Sequence, residues 1–571
     1  MKITSIQIHN FRGIVDMKID IGSISLLVGP NNSGKSSVID AIRAMYEKDG
    51  FKFSHDRDFP KISTSDDLSW IDVTYLLSQT ENEKLPKEFQ RKDRKLKVRR
   101  WFHVSDELST EWKTGRFYIY LSDGKTVSKK TVSKSSAIDI PLGNLVYIPA
   151  LSRVDEHLKL NGPSAMRDLM RIVFDENDST ESKNKQRAKA IENLFDSLLG
   201  GKRKRRLIFE NIENELKESL SSWDVSFRFS TTNHETDALI KALFGWELVD
   251  ESTGSEIGIA EFGSGFQRHF TASLIQVVAK LANERGRKAN LKDFRPPSLF
   301  LFEEPEAFLH PSQQSLLAGA LRNLAKNSGM QIICTTHSPR FVSPKGKELS
   351  SIVKLSKKNG ASIGHQVSAK RWQEIVETGM KVRALVNGQN RDKLEEKAAT
   401  QLIALKNSSW LRNGRNEFLF ADEVLLVEGE TERAFISQLL DDGKLRLQGG
   451  KNLYILDCLG KFNIPSFISL LSAFGVKHYV LFDGDGNKQS QVAVNEELKK
   501  LVKTNPLTLR FSRFPTDLEK YLGINREKKD IFDKPLQLMF DYVQGNISKR
   551  KIAALCKKLE KLLKIQDVKV S

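Results

Sequence analysis

The chain opens with two apolar runs of strand character. ITSIQIHNF alternates apolar and polar positions, and ISLLVG follows as a second strand pattern. From residue 65 to 150 the alternation continues in SWIDVTYLL, KLKVRRWFHV, RFYIYLSDG and NLVYIPA. With turn signals such as SDG between them, these predict antiparallel strands of one β layer. Residues 155–222 change period: MRDLMRIVF, IENLFDSLL and LIFENIENELKESL carry apolar residues at helical spacing. Strand patterns return in SLFLFEEPEAFLHP and QIICTTHSP, and two more short ones lie within 341–367. Residues 370–415 are polar and predict mainly helix, most clearly in RDKLEEKAATQLIALK. After that, EVLLVEG, NLYILDCLG, HYVLFDGDG and LTLRFS alternate with helical stretches, the pattern of an α/β domain.

Two of these strands end in acids. Val424–Val427 reads as a buried parallel strand that stops at Glu428. Gly429 permits a tight turn and Thr431 is placed to cap the helix that follows, so Glu432 falls in its first turn. HYVLFDGDG repeats the plan, with Asp483 and Asp485 at i, i+2 spacing predicted on one side of a strand end. Carboxylates converging at the carboxyl edge of an open sheet repel one another unless a cation joins them. Hard oxygen ligands favour Mg²⁺ or Mn²⁺. Taken singly, the same residues also suit an ordinary α/β domain with acidic loops.

A second chemistry sits near the N-terminus. GPNNSGKSS follows a strand and precedes a helical stretch at Val38–Met45, the context of a phosphate-binding loop. Backbone N–H groups along Gly29, Asn31, Asn32, Ser33, Gly34, Lys35, Ser36 and Ser37 would cradle phosphates of ATP. Lys35 would reach the β and γ phosphates and the Ser36 hydroxyl would hold Mg²⁺.

Composition narrows the partners. Across 571 residues, Lys plus Arg number 90 against 72 Asp plus Glu, a formal charge of +18. That excess points to a polyanion, most simply DNA. The run GKRKRR at 201–206 reads either as a solvated loop or as a nucleic-acid contact. Cys334, Cys458 and Cys556 are too far apart for a disulfide framework or a zinc site, which fits a reducing cytoplasm. No apolar run approaches a membrane span, and the first residues lack the apolar core of a signal peptide.

FLFADEVLLVEGETE (418–432), followed in order by DGDG, resembles the TOPRIM domain of the OLD (overcoming lysogenisation defect) family of ATP-dependent endonucleases. The upstream motifs resemble an ABC/SMC-like ATPase in the form that family carries. NFRG (10–13) matches the opening where an arginine lies near the nucleotide, which makes Arg12 a candidate; an ordinary turn residue is the other reading. EFGSGFQRHF resembles the ABC signature, whose Ser264 and Gly265 would open a helix toward a phosphate held by another subunit. In the EEPEAFLHP stretch, the resemblance gives Glu303 to the Mg²⁺ environment and Glu304 to the general base. Most ABC proteins carry Asp at the first of these positions. TTHSP places His337 as the switch histidine.

FPTDLEKYL (514–522) offers Glu519 in a helical turn, and the resemblance implies a further metal ligand there, since the OLD family carries a metal-binding Glu in such a DLE. The resemblance also implies a catalytic lysine a few residues before a small residue in the last helix; Lys549 fits by its KxxxA spacing to Ala553, with Lys551 as the alternative, and a plain surface lysine is the other reading of either. The resemblance implies metal-assisted phosphodiester hydrolysis at Glu428, Glu432, Asp483, Asp485 and Glu519, with up to two divalent ions. It also implies a homo-oligomer, dimer or higher, joined through the helical insert, although a core-only helical subdomain fits that insert too. A role in anti-phage defence, as in Gabija-type and retron-type systems, would bring a partner protein, RNA or DNA.

The expected architecture is α/β: a split ABC-type ATPase (1–154 and 223–369) around a helical insert (155–222), a helical linker (370–415) and a Rossmann-like TOPRIM domain (416–571). Two other classes are weighed against it. An SMC-like scaffold that binds nucleic acid without cutting would have degenerate TOPRIM acids. An ABC transporter subunit would have a membrane partner and no second acidic site.

Overall fold

A computed structural model of the chain describes residues 1–47, 50–132, 144–149, 204–220, 225–230, 245–263, 298–307, 309–327, 330–342, 346–387, 414–446, 452–485, 489–524 and 534–563, with a few single positions between. Two compact units emerge: Met1–Ser25 with Ser36–Phe341, and Leu26–Lys35 with Val342–Ser571. In chain order the first half contributes β1 (Lys2–Phe11), β2 (Ile14–Asp20), β3 (Ile24–Val28), α1 (Lys35–Tyr46), β4 (Ser69–Leu76), β5 (Lys95–His103), β6 (Phe117–Tyr120), β7 (Val127–Val132) and β8 (Asn144–Ile148). Then come α2 (Lys204–Leu220), β9 (Val225–Ser230), β10 (Gly245–Asp250), β11 (Glu256–Ile257), β12 (Ser298–Glu303), α3 (Pro311–Asn327) and β13 (Gln331–Thr335). The remainder contributes β14 (Ile352–Lys358), β15 (Ala361–Gln366), α4 (Ala369–Asn387), β16 (Glu423–Val427), α5 (Glu430–Asp441), β17 (Leu453–Asp457) and α6 (Ile464–Ala473). It closes with β18 (Lys477–Asp483), α7 (Gln489–Thr504), β19 (Thr508–Phe514), α8 (Lys534–Val543) and α9 (Lys549–Leu563).

In the first unit an antiparallel sheet runs β2-β1-β4-β5-β6-β7. The alternation read from β1 sets its inner face, where Ile6 and Ile8 are buried. β2, IVDMKID, was not singled out by pattern; Met17 and Ile19 bury on alternate positions there as well. NLVYIPA departs from expectation. Its strand, β8, pairs in parallel with β12, which pairs in parallel with β13. Alternation decides which face is buried; it carries no information about which neighbour a strand finds. The helical segments predicted at 155–203 lie outside the described residues, as do Ser264 and Gly265.

The second unit contains β3 and a hairpin. β14 pairs in parallel with β3 and antiparallel with β15. It also contains a four-stranded, wholly parallel sheet ordered β17-β16-β18-β19. The chain starts in the middle, at β16, moves out to β17, and returns to add β18 and β19 on the other side. The strand order therefore reverses between β16 and β18, the place where open α/β sheets bind ligands at their carboxyl ends. β16 is buried along its whole length, as its uninterrupted apolar run requires. Leu425, Val427, Phe435, Leu439, Tyr479, Leu481, Leu555 and Leu559 join in one core that α5 and α9 cover. No helix among the described residues is long and apolar enough to cross a membrane.

Two local expectations are corrected. Helix α5 is capped by Gly429 in extended conformation, and Thr431 lies inside the first turn. The Gly429 N–H donates to Glu432 Oε2 at 2.9 Å, so the third helical residue performs the capping. Asp485 does not share a strand face with Asp483. β18 ends at Asp483, and Asp485 adopts the left-handed region at φ 50°. Between them Gly484 is pressed against backbone: a Cβ there would lie 2.4 Å from the Pro515 carbonyl oxygen and 2.7 Å from that of Phe514. Gly484→Ala is thus expected to lower stability by about 1–3 kcal/mol through displaced backbone. Denaturant unfolding followed by circular dichroism reads this, and an unchanged midpoint would show that the approach is not constrained.

Candidate functional site

The phosphate-binding loop is built by close backbone packing. Gly29, at φ 146°, sits where a Cβ would meet the Leu355 carbonyl oxygen at 2.3 Å, and Gly34, at φ 104°, faces Ser362 Oγ at 2.4 Å. The loop therefore rests on the β14–β15 hairpin, and only glycine allows that approach. Lys357 Nζ of the same hairpin donates to Asn32 Oδ1 at 3.2 Å. Lys35 is buried, and its ammonium donates to the carbonyls of Gly29 and Pro30, both at 3.0 Å. Ser36 and Asn31 are exposed, Ser37 half-buried, and Ser33 buried. Arg12 is drawn into ion pairs: Nε donates to Asp58 Oδ1 at 2.9 Å and Nη1 to Asp40 Oδ2 at 2.5 Å, with Asp40 on α1.

The acidic end of β12 has its own supports. Tyr147 on β8 donates its hydroxyl to Glu303 Oε2 at 2.7 Å. Glu304 takes a left-handed conformation, φ 41°, fixed by two bonds from its N–H to the Thr335 carbonyl and Oγ1. A non-glycine residue in that region is strained, and the strain aims the carboxylate at His337, whose Nε2 is 3.5 Å from Glu304 Oε1. The His337 N–H donates to Glu306 Oε1 at 2.5 Å. Burial raises the Glu306 carboxyl above its usual range. Glu306 and Tyr147 had no assigned role in the sequence; EEPEA displayed the former, but a residue that orients a neighbour's backbone leaves no pattern of its own.

The third cluster occupies the carboxyl edge of the parallel sheet. Glu428 follows β16 and Asp483 ends β18, on either side of the switch point. The Asp483 N–H donates to Glu428 Oε2 at 3.3 Å. Burial, and then the neighbouring Glu432, Glu428, Asp485 and Glu519, push the Asp483 carboxyl up to about 9. Burial is likewise the main cause that raises Glu428 to about 7, opposed by the nearby Lys461 ammonium. Glu432 is raised by burial, with Glu519 adding to it. These five acids therefore share one electrostatic environment. Glu519 is buried in the short helix Leu518–Leu522, which Asp517 caps. Asp485 turns onto Lys461 at 2.5 Å.

Asp483 Oδ1 is buried without a hydrogen-bond donor. A buried, unsatisfied carboxylate oxygen amid four further carboxylates fits a hard divalent cation, although among the described residues no three acids stand in ready ligating geometry. Lys549 opens α9 and is exposed. Lys551, also exposed, donates to the Tyr521 carbonyl at 3.0 Å, two residues beyond Glu519.

Comparison with known proteins matches this division of labour. The AAA ATPase domain family matches residues 1–342 of the 571, more than half of the chain. The TOPRIM domain of overcoming lysogenization defect protein-like proteins matches residues 419–485. The chain belongs to the OLD family, an ATPase joined to a TOPRIM domain. It is 24% identical over 503 residues to the Old nuclease of Escherichia phage P2, covering 85% of this chain and 77% of that protein. The OLD nuclease of Thermus scotoductus is 21% identical over 491 residues, 84% of this chain and 81% of its own. Endonuclease GajA of Bacillus cereus strain VD045 is 22% identical over 561 residues, 93% and 85%. An OLD-family chain of this composition uses ATP and a divalent metal.

The acid cluster predicts a pH dependence. Glu428 and Asp483 are both raised, so the folded chain keeps protons that the unfolded chain releases near pH 4. Their contribution to stability is full below that range and is lost as pH rises through about 7 and about 9. In EDTA, Asp483→Asn should raise the unfolding midpoint at pH 8 by roughly 2–4 °C, with the gain shrinking toward pH 4. Differential scanning calorimetry checks this; a midpoint that falls at pH 8 contradicts the electrostatic reading.

Proposed function

We propose that this chain is an ATP-dependent, divalent-metal-dependent DNA endonuclease that serves in anti-phage defence. The observation that carries the reading is the placing of Glu428 and Asp483 on adjacent strand ends at the switch point, within one electrostatic cluster of acids. Glu428, Glu432, Asp483, Asp485 and Glu519 would hold the metal, with Mg²⁺ or Mn²⁺ suited to an all-oxygen donor set. When bound, the metal activates water and neutralises charge on the phosphodiester. The chain's own residues supply the rest. Asp483 and Glu428 give up the protons that burial lets them keep. Gly429 holds Glu432 by its N–H. Lys549 or Lys551 offsets charge on the phosphate, and the net charge of +18 favours the DNA backbone. Endonuclease GajA is similar over 93% of this chain, which supports the endonuclease reading, and the defence setting follows from the family resemblance. The intact acids argue against a non-cutting scaffold.

At the nucleotide, Lys35 would exchange the carbonyls of Gly29 and Pro30 for phosphate oxygens, and Ser36 would bind Mg²⁺. Glu303 would complete the Mg²⁺ environment, Glu304 would orient the attacking water, and His337 would contact the γ-phosphate. Arg12, Ser264 and Gly265 remain nucleotide candidates on the strength of their motifs. Coupling between nucleotide and nuclease is supported by the β14–β15 hairpin. One part of it contacts Gly29, Gly34 and Asn32. Another reaches the TOPRIM fold: Lys354 Nζ donates to the Ala421 carbonyl at 3.3 Å, and His365 lies against Gly475. Burial lowers the Lys354 ammonium to about 8, as expected of a group enclosed by that contact.

Three outcomes test the reading. Asp483→Ala should abolish DNA cleavage at saturating Mg²⁺ while ATP hydrolysis persists; undiminished cutting would sink the site. Lys35→Ala weakens phosphate binding, whereas Glu304→Gln leaves ATP bound but unhydrolysed, so the two should differ in nuclease rate when ATP is present. Cleavage time courses that overlay for both variants and wild type at every ATP concentration would exclude coupling. Light scattering should give a dimer or larger assembly at micromolar protein, and a monomer with and without ATP would contradict the proposed sharing of the signature sequence.

A further inference from the structure

The loop from β17 to α6, Cys458–Asn463, carries Lys461, which belongs to none of the motifs described above. Lys461 is 2% exposed, among the largest fully buried side chains of the described residues. Lysine is rarely buried this deeply without a partner, because desolvating an ammonium is costly. Its partner is Asp485, 2.5 Å away. The same ammonium opposes the upward displacement of Glu428.

The loop is fastened to the strand end that bears Glu428. Cys458 N–H donates to the Val427 carbonyl at 2.9 Å, and Gly460 N–H to the Glu428 carbonyl at 2.7 Å. Asn463 Nδ2 donates to the carbonyls of Cys458 and Leu459, at 2.9 and 2.7 Å. Leu459 and Gly460 both take positive φ, 54° and 106°. A strained, closed loop of this kind turns the Lys461 side chain inward, onto Asp485 and near Glu428.

Asp485 needs such a partner. It lies beyond the end of β18, in a left-handed conformation, with its N–H donating to the Thr516 carbonyl at 3.1 Å. No strand register fixes its side chain. We propose that Lys461 is a positioning residue of the nuclease site, a resident cation that clamps the Asp485 carboxylate beside Glu428 and so sets the site's affinity for divalent metal. At 2% exposure the ammonium is shut off from a polymer substrate, so it acts through Asp485 and not on the phosphate. The proposal rests on the nuclease reading of these acids.

The test uses the full chain, with Mn²⁺ uptake measured by calorimetry or electron paramagnetic resonance. A cation that merely opposed the metal would, when removed, leave tighter binding. A clamp predicts the reverse: Lys461→Met should weaken Mn²⁺ about 10–100-fold, the usual cost of losing a partner that orients a ligand. Lys461→Arg, which keeps the charge, should recover most of the loss. The pair Lys461→Met with Asp485→Asn should bind no more weakly than Asp485→Asn alone. ATP hydrolysis, which belongs to a separate set of residues, should persist in Lys461→Met and Lys461→Arg. In EDTA the double variant should unfold above either single variant, because Asp485→Asn leaves the buried Lys461 ammonium without its partner and Lys461→Met leaves the half-buried Asp485 carboxylate without its own. That comparison decides the matter even if Lys461→Met alone fails to fold: rescue by Asp485→Asn supports the clamp, and no rescue overturns it. Unaltered or tighter Mn²⁺ binding by Lys461→Met overturns the role of Lys461 while leaving the nuclease reading intact. Wild-type protein that takes up no Mn²⁺ overturns both.

Discussion

The TOPRIM unit is shaped by the cost of gathering carboxylates in one place. Glu428, Glu432 and Asp483 are held up from their ordinary ionisation by burial first, and then by neighbouring carboxylates, Glu519 in the case of Glu432. A sheet that placed them on separate edges would avoid this cost and lose the site. The wholly parallel order, with its reversal between β16 and β18, converges the strand ends and makes the repulsion unavoidable. Features around the cluster read as responses to it. The Gly429 N–H meets Glu432, the Asp483 N–H meets Glu428, and the buried ammonium of Lys461 meets Asp485. The apolar core beneath, from Leu425 to Leu559, keeps these groups from relaxing apart.

The phosphate-binding loop follows a different economy, in which the constraint is space. Gly29 and Gly34 approach a hairpin that comes more than three hundred residues later in the chain. Glu304 reaches its place only through a left-handed backbone tied to Thr335. Electrostatic constraint in one cluster and steric constraint in the others are each met by backbone N–H groups and glycines, the least variable parts available to a polypeptide.

Much of this was legible in the sequence. The phosphate loop, the EEPE strand end, TTHSP and the acids of VEGETE and DGDG are local signals, since each depends on a strand that stops and a turn that follows. The parallel order of the last domain followed from strand–helix alternation. What escaped depends on contacts between distant residues. NLVYIPA had the right alternation and the wrong partner. Asp485 had the right spacing from Asp483, but Gly484 ends the strand before the spacing applies. Thr431 had the chemistry of a cap and was displaced by a glycine whose N–H is caught by Glu432. Lys461 and Glu306 could not be read at all, because their meaning lies in a loop's backbone path and in a neighbour's N–H.

The pairing of β14 with β3 also bears on how such proteins arise and how they can be dissected. The region matched to the ATPase family ends at residue 342, yet β14, which pairs in parallel with β3, spans Ile352–Lys358. A fragment cut where the sequence families divide would strip that neighbour from the strand leading into the phosphate loop, and leave its N–H and C=O groups open to foreign strands. Gly29 would lose the carbonyl surface it rests on. Recombination at that junction would yield a chain prone to aggregate rather than a free-standing ATPase. The modular boundary visible to a sequence comparison and the boundary at which the molecule can be divided are therefore different, and exchange of nuclease partners would have to carry the hairpin along with the nucleotide-binding half.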